Sequence, residues 1–178
     1  MTSADANARG ALTPGLPRRL ACLFYEGVLA FAVVMIAGLA YGIATDQRHA
    51  LVGSTGLQIL LLAVLALYFS FFWSRTGQTL AMLTWHIRLV RVDGQPVSMA
   101  RALCRFLLAW LWFVPALALA HVLGLKSGWA TLGIVGAGVL IWAQLSRFHP
   151  DQQYWHDAFC GTRLIDWRKG RSNPSKPR

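Results

Sequence analysis

Of the seven carboxylates in this chain, Glu26 alone lies inside a long apolar stretch. An ionisable group at bilayer depth costs roughly 2.5–3.5 kcal/mol on insertion scales, so such a residue faces the protein interior and usually has a use. Side chains of a helix lean toward its N-terminus, which aims Glu26 back at Arg18 and Arg19. Arg19 precedes Glu26 by seven residues, two turns up the same face and roughly 10.5 Å along the axis. A direct bond needs both side chains stretched; otherwise water or a third group bridges them. Two roles fit Glu26. It is a proton, cation or small-ligand site, or it is a carboxyl hydrogen-bonded between helices that ties a bundle together.

A second pair of cations, Arg101 and Arg105, falls on one helix face four residues apart, where they can meet lipid phosphates or a carboxylate. Snorkelling favours the lipid phosphates. Near the end of the chain, His156 and Asp157 are adjacent, but a triad needs a nucleophile and an oxyanion site as well, and neither is visible in the pattern. His49, His86, His121 and His149 are scattered without the His-Glu-x-x-His spacing of a helical zinc site. Cys22, Cys104 and Cys160 form no Cys-x-x-Cys pair, and Cys22 and Cys104 sit on apolar segments as small buried side chains. No metal, no cofactor and no enzymatic activity is expected from these residues.

The elements that position them are set by composition. The 178 residues are 56% hydrophobic and 13% charged with a mean hydropathy of +0.46, too apolar for one soluble core of that size, so the chain needs lipid as solvent. Apolar runs extend over Leu20–Ala44, Leu51–Trp73, Phe106–Leu125 and Trp129–Leu145. About 20 such residues cross a bilayer core; the last run, at 17, is the shortest. The first is too long for the apolar region of a signal peptide and is read as an uncleaved helix. The second ends in Tyr68, Phe69, Phe71, Phe72 and Trp73, the composition of an interfacial aromatic belt. Only Lys126, Ser127 and Gly128 separate the last two runs, which makes them an antiparallel hairpin. Small-residue spacings at Gly38/Gly42, Ala116/Ala120/Gly124 and Gly133/Ala137 would allow close helix approach.

The expected fold is therefore an all-α membrane protein of four transmembrane helices. Residues 1–17 form a polar, disordered arm, 18–166 the membrane domain, and 167–178 a basic, disordered tail. Between the second and third helices the alternation Ile87-Arg88-Leu89-Val90-Arg91 reads as a short strand. Asp93-Gly94 makes a turn, and Ser98 is placed to cap the third helix. Counting Lys and Arg in the connecting segments puts fifteen on one side and two on the other, so the positive-inside rule places both termini in the cytoplasm of a cell with an inner membrane. That distribution accounts for the net charge of +10 better than nucleic-acid binding does. The expected partners are membrane lipids and, beyond them, a second copy of the chain or other membrane proteins.

Arg18-Arg19-Leu-Ala-Cys-Leu-Phe-Tyr-Glu26, then Gly77-Gln78-Thr79, then Asp93-Gly94 followed by Arg105, and finally His156-Asp157 with Gly161-Thr162 occur in a recognisable order. Over roughly residues 16–166 the chain resembles the RDD family of small bacterial membrane proteins. That family is named for an arginine near the start of the first helix, an aspartate within it and a second aspartate. The resemblance assigns those positions to Arg19, Glu26 and Asp157; in the ion-handling reading Arg105 is an added counter-charge. Glu26 departs from the pattern by one methylene, which proton handling tolerates better than a tightly sized ion site. Transport has been proposed for the family, so the resemblance implies ion or ligand handling; a non-catalytic membrane scaffold or assembly factor is the alternative.

Overall fold

The computed structural model describes residues 12–45, 54–125, 127–145 and 153–168. Helix α1 spans Leu16–Ala44, with Pro17 in its first turn, where the missing N–H costs no intrahelical bond. Helix α2 covers Ser54–Arg75. A short helix α3 (Leu80–Thr84), strand β1 (Ile87–Arg91) and helix α4 (Met99–Ala109) follow. One 3-10 turn at Trp110–Trp112 leads into α5 (Val114–Val122), and then come α6 (Gly128–Leu145), α7 (Trp155–Phe159) and strand β2 (Thr162–Asp166). Four segments are long and apolar enough to cross a membrane: Leu16–Ala44, Thr55–Arg75, Met99–Val122 and Gly128–Leu145.

The third segment starts at Met99, seven residues before the apolar run at Phe106, because its first two turns are amphipathic and hide Ala102, Arg105 and Phe106. Ser98 does occupy the cap position and its carbonyl accepts from the Ala102 amide at 2.9 Å, but its hydroxyl makes no capping bond. The helix then breaks just before Pro115, which has no N–H to give the preceding turn. The 3-10 turn tightens the chain at that point.

Strand β1 pairs antiparallel with β2, from Ile87 opposite Asp166 to Arg91 opposite Thr162. The Asp166 amide also donates to the Leu12 carbonyl at 2.9 Å, and the Trp167 amide donates to the His86 carbonyl at 2.8 Å. Residues from before the first span, between the second and third, and after the fourth are thus joined on one side of the bundle. The expected arm therefore ends earlier than residue 17: the Leu12 carbonyl is bonded to Asp166 of β2 and α1 begins at Leu16. Residues 1–11 and 169–178, like Arg48, His49, Lys126 and His149, lie outside the described residues.

The core sits where the sheet meets the spans and contains Trp73, Met82, Ile87, Leu89, Phe106, Trp112 and Leu164. Elsewhere the helices present apolar side chains outward, with Phe24 78% and Leu132 62% exposed, which is what a lipid-facing surface requires. The aromatic run at the end of α2 is not simply a belt. Trp73 is buried, and Phe69 stacks on Phe106 at 5.8 Å between ring centroids, because α2 packs along α4 there; Phe71 alone of the three faces outward. Close helix approach occurs at Ala116, whose Cβ lies 2.8 Å from where a Cβ on Gly138 would stand. Gly38, Gly42 and Gly133 face open space. Cys104 is exposed on α4 rather than buried, whereas Cys22 and Cys160 are buried.

Candidate functional site

The sheet is fastened to α1 by Arg18. Its Nη1 donates to Asp166 Oδ2 at 2.6 Å and its Nη2 to Oδ1 at 3.1 Å, while Nε and Nη2 also reach the carbonyls of Trp85 (2.7 Å) and His86 (2.6 Å). Burial acts to raise the Asp166 pKa, but the Arg18 hydrogen bonds and charge outweigh it and hold the carboxyl below its ordinary value. Gln153 reinforces the same junction. Its side-chain amide accepts from the Leu164 amide (3.0 Å) and donates to the Leu164 carbonyl (3.1 Å) and to Thr13 (2.9 Å).

Gly77-Gln78-Thr79 forms the hinge that delivers a hydroxyl to Glu26. Gly77 adopts φ +71°, and its carbonyl accepts from the Leu89 amide at 2.8 Å; a Cβ there would lie 2.7 Å from the Leu89 carbonyl oxygen. Only glycine enters this conformation without strain. Gln78 Nε2 donates to the Ile87 carbonyl at 2.7 Å. Thr79 caps α3, its Oγ1 accepting from the Met82 amide at 3.3 Å. That same hydroxyl donates to Glu26 Oε2, and Tyr68 on α2 donates to Glu26 Oε1 at 3.2 Å. Glu26 thus faces the protein at 8% exposure and links α1 to α2 and α3. Both its oxygens are engaged by these hydroxyls, not by Arg19.

On the other wall, Arg105 Nε donates to Asp157 Oδ1 at 2.6 Å, and its guanidinium lies 4.1 Å from the centre of the Trp73 ring. Of the two partners expected for the arginine pair, Arg105 takes a carboxylate rather than a lipid phosphate, because α4 turns it inward to Asp157, whereas Arg101 is exposed. Arg101 Nη1 donates to the Cys160 carbonyl at 3.0 Å. His156 Nδ1 accepts from Trp112 Nε1 at 3.0 Å, and its Nε2 lies 3.4 Å from Asp157 Oδ1. Burial pushes the His156 pKa down to about 4, with Asp157 opposing and Arg105 assisting, so the ring is neutral at physiological pH. Thr162 Oγ1 donates to the Asp157 carbonyl at 3.1 Å. Gly161 makes the turn between them at φ +62°. Gly94 closes the turn after β1, donating to the Arg91 carbonyl at 2.8 Å.

Arg19 sits between these walls. Its guanidinium carbon stands 4.4 Å from the centre of the Tyr154 ring, and Nε and Nη1 are buried without a hydrogen-bond partner among the described residues. Burial, chiefly, pushes the Tyr154 phenol up to about 12, which keeps it neutral. Arg19, Glu26 and Arg105 line one cavity of about 650 Å³ together with His156, Cys22 and Trp112. Asp157 stands behind Arg105 and is fully buried. All four expected site residues therefore converge, through Arg105–Asp157 contact and the shared cavity rather than through an Arg19–Glu26 bond. Tyr68, Trp112, Tyr154, Gln153 and the Arg18–Asp166 clamp were not expected. Their polar atoms carry no local spacing that marks them; only Arg18, next to Arg19, was within the pattern.

Four apolar spans capped on one side by a small sheet, with buried charges at that end, define a multi-pass integral membrane protein. Comparison with protein-family models matches residues 13–161 to the RDD family, and the chain belongs to that family. Comparisons with curated proteins and with solved structures gave no match.

Proposed function

We propose that this RDD protein resides in a bacterial inner membrane with both termini cytoplasmic, and that it handles a small ligand together with a proton in the cavity beneath its sheet. The observation that carries this reading is the single cavity shared by Arg19, Glu26 and Arg105 inside the membrane-spanning bundle. An intramembrane carboxyl beside a cavity can exchange a proton while charges nearby bind the ligand. A small metal ion fits less well, because it would have to displace both the Thr79 and the Tyr68 hydrogen bonds from Glu26; proton exchange leaves their geometry in place. Both nitrogens of His156 are committed to Trp112 and Asp157, which supports a positioning role and a non-enzymatic protein.

The full engagement of Glu26 also favours a second reading, a scaffold whose carboxylate ties three helices together. The experiment is a comparison of wild type and Glu26→Gln in proteoliposomes under an imposed pH gradient. Gln keeps the shape and most hydrogen bonding but removes titration. Ligand handling predicts that the variant folds and loses pH-dependent movement of protons or of a coupled solute. Unchanged pH dependence in the variant rejects it and reassigns Glu26 to helix packing.

A further inference from the structure

Among the charged side chains that line the cavity, Arg19 is the one whose buried donors are unmet within the described residues. The residue is 5% exposed, lines the cavity, and leaves Nε and Nη1 buried without acceptors among the described residues. Asp157, whose Oδ2 also lacks a hydrogen-bond partner among the described residues, acts on Arg19 through its charge but makes no hydrogen bond to it, and a buried cation with two unmet donors is costly. Its Tyr154 contact is with the ring face, 4.4 Å from the guanidinium carbon to the ring centre. Arg105, by contrast, is already answered by Asp157, and Glu26 is occupied by two hydroxyls. The open valence of the cavity is thus a demand for an anion.

The remainder of the wall is apolar and elongated. Along α1 it extends from Arg19 to Ala30, eleven residues or roughly 16 Å of helical rise. Leu65 and Phe69 line it from α2, and Leu117 from α5. Leu23 on α1 and Leu117 on α5 line the cavity and are 37% and 44% exposed, so we read the cavity as opening between these two spans toward the region that lipid tails occupy. A water-soluble anion would meet an apolar mouth; a lipid-phase molecule would not.

We propose that the cavity binds a single-chain amphiphile with an anionic head, the head on Arg19 and the chain running past Ala30 toward the opening between α1 and α5. This deepens the ligand-handling reading by naming the ligand class. A guanidinium binds the oxygens of a carboxylate or a phosphate through charge-assisted N–H bonds, so the head is a fatty carboxylate or the phosphate of a one-chain lipid. The cavity volume of about 650 Å³ is in the range of roughly 300–1,000 Å³ usual for small-molecule sites.

The test is native mass spectrometry of the full chain in a non-ionic detergent, titrated separately with oleate, oleoyl lysophosphatidate, oleyl alcohol and oleylamine. Oleate or lysophosphatidate should bind at least tenfold more tightly than the alcohol, and the amine should bind no better than the alcohol. Preference between the two anions tells whether the head is a carboxylate or a phosphate. Arg19→Gln should bring the anions to the level of the alcohol, and Ala30→Trp, which fills the chain path and leaves Arg19 untouched, should abolish binding of both. Should Arg19→Gln fail to fold, Ala30→Trp carries the test alone. Equal binding of anion and alcohol, no binding of either anion, or unchanged oleate binding in Ala30→Trp overturns the proposal. Glu26→Gln separates it from the proton role: retained oleate binding with unaltered pH dependence leaves the amphiphile site standing and removes the proton function.

Discussion

Arg105 on α4 and Asp157 on α7 form an ion pair 2.6 Å long whose side chains are 8% and 0% exposed. It binds the start of the third span to the segment that follows the fourth, and Asp157 Oδ1 also faces His156. A buried pair of this kind is weak as a source of net stability but costly to break singly, since the survivor is left charged without a partner.

Arg105→Ala or Asp157→Asn should therefore lower stability by roughly 3–5 kcal/mol. The paired replacement Arg105→Met with Asp157→Leu should recover most of that loss. Thermal melts of the detergent-solubilised protein check both. Additive losses in the double variant would show that the two side chains are not coupled.

Acid should loosen the sheet side of the protein in two stages. His156 is held at about 4, below its ordinary 6.5, so the stability contributed by the neutral ring is complete above about pH 6.5. It is lost as pH falls from there through about 4, and amounts to roughly 3 kcal/mol at 1.36 kcal/mol per unit. Asp166 is also held low, by Arg18; its contribution persists above the ordinary carboxylate value and disappears only as pH falls through its own lowered one. His156→Asn keeps an acceptor for Trp112 without titrating. It should flatten the melting temperature between pH 6.5 and 4 and leave the more acid loss in place; an unchanged slope in that window assigns the lability elsewhere.

Gly77→Ala should destabilise by more than about 1 kcal/mol, because alanine at φ +71° is strained and its Cβ would meet the Leu89 carbonyl at 2.7 Å. Gly38→Ala is the control, since nothing lies within 4 Å of a Cβ there and α1 is helical. It should be neutral or slightly stabilising. Equal melting temperatures for the two variants would remove the hinge role given to Gly77.

The spans and the strand after the second one are readable in the sequence because the bilayer imposes a length and β1 an alternation. Tertiary partners are not readable in that way. β2 follows the five-residue helix α7, and its paired residues in β1 lie 71 to 79 positions earlier, so the pairing is decided by the bundle that brings the two together. Arg105 illustrates the same limit. Its position near a helix end suits a snorkelling cation, and only the placement of α7 shows that it turns inward to Asp157. Glu26 was legible as an interior residue from cost alone, whereas its Tyr68 and Thr79 partners come from a helix and a loop packed against it.

Topology is open to direct test. Reporter fusions at residue 178 and within residues 85–95 should report the cytoplasm, and fusions near Arg48 and Lys126 the opposite side. A cytoplasmic report at Lys126 would contradict the four-span arrangement.

The central claim is that Glu26 exchanges a proton at the cavity. Infrared difference spectroscopy of the purified protein in lipid, wild type minus Glu26→Gln, isolates the carboxyl C=O stretch of this one residue. The account predicts a band that appears and vanishes reversibly as pH is cycled and that shifts when oleate is added. A band of constant intensity at every pH, or none at any, would contradict it.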